Sequence, residues 1–185
     1  SFFSLKNLHL RMMQRRSFIK KSSLTTLGIA VLGAIQWNFK RVLRGGMLNV
    51  NAQRIEDRIS GMAQFGRNDK GHGYRMAFTQ GDVEGHAWFV DLMKKAGLET
   101  TIDQAGNIIG KRKGKKPSLK PIAFGSHIDM VPDGGNYDGT LGSIAALEVI
   151  EVLNENKVVT NHPLEVIIFA DEEGSMIGSK ALSGK

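Results

Sequence analysis

Six side chains in one stretch of the sequence have the types and spacing for hydrolytic chemistry. His127 and Asp129 form a His-x-Asp step directly after the apolar run Ile122-Ala-Phe-Gly125, and Asp138 follows at the mouth of an apolar helical pattern. A second apolar run, Leu164 to Ala170, ends in Asp171-Glu172-Glu173-Gly174. His127, Asp138 and Glu173 offer one imidazole nitrogen and two carboxylates, a ligand set suited to Zn²⁺ or Mn²⁺. Asp129 can accept the other ring N–H of His127, fixing its tautomer and raising its basicity. Glu172 points away from Glu173 on an extended segment, so it can face a metal-bound water and act as general base. The metal candidates are therefore His127, Asp138 and Glu173, and the catalytic candidates are Glu172 and Asp129. The chain has no cysteine, which excludes thiolate ligands and disulfide staples.

These groups need elements that bring them together. Pro121 to Gly125 and Leu164 to Ala170 read as buried strands, and residues 140–154 read as a helix with Leu141, Ile144, Ala145, Val149, Val152 and Leu153 apolar. Glu148, Glu151 and Glu155 mark the expected solvent side of that helix. Strand, crossover helix and strand make a βαβ unit with a parallel pair. Ligands of open α/β sheets sit beyond the carboxyl ends of the strands, where His127 and the acidic run fall. Gly134, Gly135 and Gly139 give the backbone freedom to bring Asp138 back to them.

Upstream, Asn51 caps a helix with Ala52, Ile55, Ile59 and Met62 on one face. Asp82 caps a second, with Trp88, Phe89, Leu92, Met93 and Ala96 apolar and Gly97 as its stop. Leu98–Asp103 and Asn107–Arg112 read as a hairpin, and the basic run Lys111 to Lys116, followed by Lys120, as a solvated hairpin loop. His72 and His86 are read as surface histidines. The fold class is α/β, a mixed, largely parallel sheet flanked by helices.

The net charge of +7 suggests a nucleic-acid partner until its distribution is followed. Nine of the 25 Lys and Arg residues lie in residues 1–44, where there is no acid, leaving sixteen against all 18 Asp and Glu. The body is thus slightly acidic, and its basic run has no aromatic residue to stack a base. No nucleic-acid partner is expected. Arg15-Arg16, Phe18 and Lys20-Lys21 precede an apolar run, Leu24 to Ile35, too short to span a bilayer. This order resembles a twin-arginine export signal, with small residues suiting cleavage after Gly33 or Ala34. Residues 1–45 are assigned to the signal and upstream sequence and 46–185 to the catalytic body, with periplasmic localisation and membrane contact during export alone.

The body also resembles a family. Gly125-Ser-His-Ile-Asp129, Val131-Pro-Asp-Gly-Gly-Asn-Tyr-Asp-Gly139 and His162-Pro-Leu-Glu-Val with Asp171-Glu-Glu-Gly-Ser175 are similar to three signature blocks of the dinuclear metal amidohydrolases. These include N-carbamoyl-L-amino-acid hydrolases, allantoate amidohydrolases and ureidoglycolate hydrolases, within a wider zinc exopeptidase-like group. Asp103-Gln-Ala-Gly-Asn107 resembles a fourth block. The resemblance implies two divalent metal ions, zinc or manganese, with His127 on one, Glu173 on the other and Asp138 bridging. It implies Glu172 as general base, Asp129 orienting His127, and a bridging hydroxide attacking the ureido carbonyl of a small N-carbamoyl or ureido substrate. It also implies a homodimer and two further histidine ligands in blocks that the 185 residues do not contain, so the chain reads as an N-terminal fragment without the lid domain, inactive by itself. Met130 and Met176 stand where the family usually carries Thr and Arg. Two rivals remain at this point: a peptidase or N-acyl-amino-acid amidase of the wider group, and a glycine-rich anion-binding module, which the carboxylates disfavour.

Overall fold

A computed structural model describes residues 48–71 and 73–184. The export-signal expectation and His72 lie outside the described residues. Helix α1 spans Ala52–Met62, and the Asn51 side chain caps it by accepting from the Arg54 N–H at 3.0 Å. Helix α2 spans Gln80–Lys95 with Thr79 at its N-cap. It thus starts before Asp82, whose carboxylate instead accepts from the Phe78 N–H at 2.9 Å, a first-turn carboxylate reaching back over the helix start. Lys94 and Lys95 complement the dipole at the other end, and Gly97, at φ +78°, turns the chain out. His86 is half-buried rather than solvated, with its Nε2 3.5 Å from Asp82 Oδ1.

Strands β1 (Glu99–Ile102), β2 (Ile108–Arg112), β3 (Ile122–His127) and β4 (Leu164–Phe169) form one mixed sheet in the order β1-β2-β4-β3. Helix α3, Thr140–Glu155, connects β3 to β4, and the short α4, Ile177–Leu182, follows. The β3–β4 pair is parallel, as the crossover requires. The parallel share is narrower than expected, because β1 pairs antiparallel with β2 and β2 with β4. The β1–β2 hairpin is present, but the basic run after it is no hairpin loop, since β4 lies between β2 and β3. The run bonds instead to the approach to β4, with Lys115 and Lys116 N–H groups donating to the carbonyls of Thr160 and Asn161.

Alternation fixes which face of the sheet is covered. Ile108, Leu164, Val166 and Ile168 share a core with Met62 of α1, Phe89 and Met93 of α2, and Ile144, Leu147 and Ile150 of α3. Each such side chain contributes roughly 1.5–3 kcal/mol on burial. Gly110 is where α2 closes on the sheet: a Cβ there would stand 2.9 Å from Leu98 and 3.1 Å from Met93. Strand β3 is less buried than its apolar run suggests, with Ile122 52% exposed, because among the described residues it is an edge strand paired on one side.

The expected solvent side of α3 holds at Glu155, which is exposed, and is corrected at Glu148. Glu148 is 1% exposed and accepts from Asn51 N and from Arg54 Nε and Nη2. Arg54 also pairs with Glu155, and Arg58 with Glu151. Helix α1 therefore docks along the acidic stripe of α3, while Leu141 and Val149, assigned to the apolar face, are exposed. Charge on a helix face marks solvent only if no opposite charge is brought to it. No helix among the described residues is long and apolar enough to cross a membrane.

Candidate metal centre

The crossover unit places His127 at the last position of β3, Asp138 just before α3, and Glu173 in the turn after β4. Donor atoms of these three residues lie within 4.8 Å of one another. His127 Nε2 is 3.9 Å from Asp138 Oδ1 and 3.9 Å from Glu173 Oε1. Asp138 is the outermost of the three, its side chain 79% exposed. Gly139 is needed beside it: at φ +61°, with a Cβ that would stand 2.3 Å from the His127 ring, it lets the backbone pass directly against the imidazole.

Asp129 is buried behind the histidine. One carboxylate oxygen lies 3.3 Å from His127 Nδ1, and the other accepts from the Glu173 N–H at 3.0 Å. A single carboxylate thus ties the β3 end of the site to the β4 end. The other neighbour of Nδ1 is the Asp129 carbonyl oxygen at 3.2 Å. Both neighbours are acceptors, which places the proton of the neutral ring on Nδ1 and turns the Nε2 lone pair toward Asp138 and Glu173. The Asp129 bond is the main reason the His127 pKa is raised. Burial pushes the Asp129 pKa up, but its bonds to His127 and the Glu173 N–H outweigh that and hold it below the usual range.

Glu173 is pushed up, first by burial and then by the Asp138 charge. Among the described residues no Lys or Arg pairs with Asp138 or Glu173. A nitrogen lone pair and two carboxylates converging without a cationic partner are a donor set that fits a divalent metal ion. Glu172 is outside that group. Its Oε2 accepts from Ser179 Oγ of α4 at 2.7 Å.

The turn carrying the glutamates is held by contacts within it and from another strand pair. Asp171, at φ +51°, accepts from the N–H of Ser175, and the Met176 N–H donates to the Asp171 carbonyl at 2.7 Å. Asn107 is fully buried at the start of β2, and sequence reasoning assigned it no role beyond the fourth block. Its Oδ1 accepts from the Ala170 N–H at 3.0 Å, and its Nδ2 donates to Gly178 O at 3.1 Å and Asp103 Oδ2 at 2.8 Å. The β1–β2 turn thereby grips both ends of the segment holding Glu172 and Glu173. The signal available was an Asp-x-x-Gly-Asn turn whose amide exceeds what a hairpin needs. Met130 is buried, its sulfur 2.4 Å from where a Cβ on Gly73 would sit, whereas Met176 is exposed at φ +56°.

The fold recurs in known proteins. Over 140 residues the chain is 38% identical to an N-carbamoyl-L-amino acid amidohydrolase of Geobacillus stearothermophilus, covering 73% of this chain and 34% of that protein. A hydantoinase/carbamoylase family amidase from Burkholderia ambifaria superposes with a TM-score of 0.71 at 33% identity, over 75% of this chain and 35% of that one. Over the part of them that it spans, the chain is similar to the hydantoinase/carbamoylase family amidases. A ureidoglycolate hydrolase of Arabidopsis thaliana is 36% identical over 74% of this chain and 30% of its own length. An allantoate amidohydrolase of Escherichia coli K12 is 34% identical over 71% of this chain and 33% of its own. The profile of Peptidase family M28 matches residues 107–185, from Asn107 to past the acidic turn. The chain spans about a third of the length of these amidohydrolase relatives.

Proposed function

We propose that the protein to which this chain belongs hydrolyses a linear C–N bond in a small ureido or N-carbamoyl substrate, with N-carbamoyl amino acids, allantoate and ureidoglycolate as the candidate class. The observation that carries this is the convergence of His127, Asp138 and Glu173 within 4.8 Å, in a chain 38% identical to an N-carbamoyl-L-amino acid amidohydrolase. His127, Asp138 and Glu173 would hold divalent ions, two by the family resemblance and zinc or manganese by the donor set, whose chemistry when bound is to polarise the substrate carbonyl and acidify water. Asp129 keeps the His127 proton on Nδ1 and the ring in place. Glu172 takes a proton from the attacking water at the carboxylate oxygen not engaged by Ser179, and returns it to the departing nitrogen as the C–N bond breaks. A homodimer belongs to this reading as well, supported by the family resemblance.

The test pairs turnover with metal content. Glu172→Gln should retain its metal and lose on the order of 10²–10⁴ in kcat with an N-carbamoyl amino acid or allantoate as substrate. Loss of metal from Glu172→Gln would assign the two glutamates the reverse way. The Peptidase family M28 match favours a second reading, hydrolysis of a peptide or N-acyl amino acid. Cleavage of such substrates in preference to N-carbamoyl ones would establish it.

Export to the periplasm is part of the same proposal and rests on Arg15-Arg16, Phe18 and the apolar run to Ile35. Changing both arginines to lysine should leave the protein in the cytoplasm. Unchanged periplasmic delivery of that double variant would refute it.

A further inference from the structure

Arg75 lies in the loop between α1 and α2, and its side chain is 1% exposed. A guanidinium is tolerated at such depth only if its donors are answered. Here Nε donates to the Ile128 carbonyl at 2.6 Å, and Nη1 to the carbonyls of Met62 and Phe65 at 3.2 and 3.1 Å. Nη2 is 3.4 Å from Thr140 Oγ1. The backbone of the same residue takes part: the Met130 N–H donates to the Arg75 carbonyl at 2.8 Å. All four acceptors, three backbone carbonyls and one hydroxyl, are neutral; burial lowers the Arg75 pKa, and the Asp82 and Asp129 charges offset part of that effect through space.

The positions of those acceptors give the contacts their meaning. Ile128 lies between His127 and Asp129, and Thr140 directly follows Gly139 and Asp138. Met62 and Phe65 lie at the end of α1 and just beyond it. One planar fork therefore fastens the strand end that carries the histidine, and the helix start that follows the aspartate, to a third fixed point. An ammonium has no fork that could span these directions.

We infer that Arg75 is a positioning residue of the metal centre, setting the spacing between His127 and Asp138 from the buried side. This rests on the metal-site reading above and adds a residue to it. Nothing in the motif blocks names Arg75, and its contacts reach the candidate ligands only through their neighbours.

The test measures the affinity of the full chain for zinc alone, by competition with a chromophoric chelator, beside stability in urea. Arg75→Lys should remain folded and bind zinc about 10–100-fold more weakly, the usual cost of losing a group that orients ligands. Two comparison variants isolate the effect: Arg58→Lys, in the α1–α3 ion pairs, and Phe89→Leu, which loosens the core. Both should lower stability and leave zinc affinity within about twofold, well below that range. Zinc binding by Arg75→Lys within about twofold of the original overturns the inference, as does equal weakening in Phe89→Leu. If Arg75→Lys fails to fold, Thr140→Val replaces it in the test, keeping the side-chain shape and removing one acceptor on the Asp138 side. Weaker zinc binding is then expected, and unchanged binding overturns the inference. His127→Ala separates the two levels: unchanged zinc affinity there refutes the metal site itself, whereas its loss beside an unaffected Arg75→Lys refutes the role of Arg75 alone.

Discussion

Two clusters of carboxylates lie on the same crossover unit and are answered in opposite ways. Along α3, Glu148, Glu151 and Glu155 meet Arg54 and Arg58 from α1. At the start of that helix, Asp138 and Glu173 face each other and His127, and among the described residues no guanidinium or ammonium pairs with them. The environments follow. Burial pushes Glu148 up, but the Arg54 and Asn51 bonds prevail and its pKa is lowered. Burial and the Asp138 charge push Glu173 up. A carboxylate cluster matched by arginines joins two helices. An unmatched one destabilises the empty fold, and that cost makes sense where a cation is to be held.

The largest effect that would sharpen this contrast comes from Glu173→Gln. A neutral amide is a poorer ligand for a divalent ion, so zinc affinity should fall by more than the roughly 10–100-fold cost of losing a mere supporting group. In chelator, without metal, the same change removes the repulsion with Asp138, and stability should rise by about 0.2–0.5 kcal/mol, the size of a like-charge pair near a surface. Opposite signs in the two measurements are what an unmatched cluster requires. A metal-free variant less stable than the original, read from urea midpoints, would mean that Glu173 is a structural residue like Glu148.

The sequence made the unmatched cluster legible and the matched one misleading, for a physical reason. His127, Asp138 and Glu173 each stand where an apolar run ends or a helical pattern begins, so strand and helix periodicity alone place them at one edge of a sheet. The parallel β3–β4 pair follows from the same pattern. Glu148 sits at a helical position that periodicity assigns to solvent, and only the docking of α1, ninety-odd residues away in sequence, buries it. The order of β2 and β4 escaped for the same reason, since strand insertion is a long-range event that no local pattern records. Arg75 and Asn107 were silent too. Each acts through backbone groups of distant segments, and a backbone carbonyl leaves no mark on the sequence.

The smaller effect tests the matched cluster, through Arg54→Met and its dependence on pH. Removing Arg54 leaves Glu148 buried with the Asn51 N–H as its remaining hydrogen-bond partner. A fully buried pair broken in this way costs about 3–5 kcal/mol. With the Arg54 side chain 22% exposed, about 2 kcal/mol at neutral pH is the expected loss. Because the folded-state pKa of Glu148 lies below its ordinary value of 4.5, its contribution to stability is complete above that value and is lost as pH falls through the folded-state pKa. Arg54 is the principal group holding that pKa down, so the variant has less to lose in acid. The gap between the original and Arg54→Met should therefore narrow as pH is lowered from neutrality to below the carboxylate range, while metal affinity stays unchanged across the pair at neutral pH. Urea midpoints taken across that range decide the matter. A constant gap would show that Arg54 acts through packing of its aliphatic stem, and the contrast between a matched and an unmatched cluster would then lose its electrostatic basis.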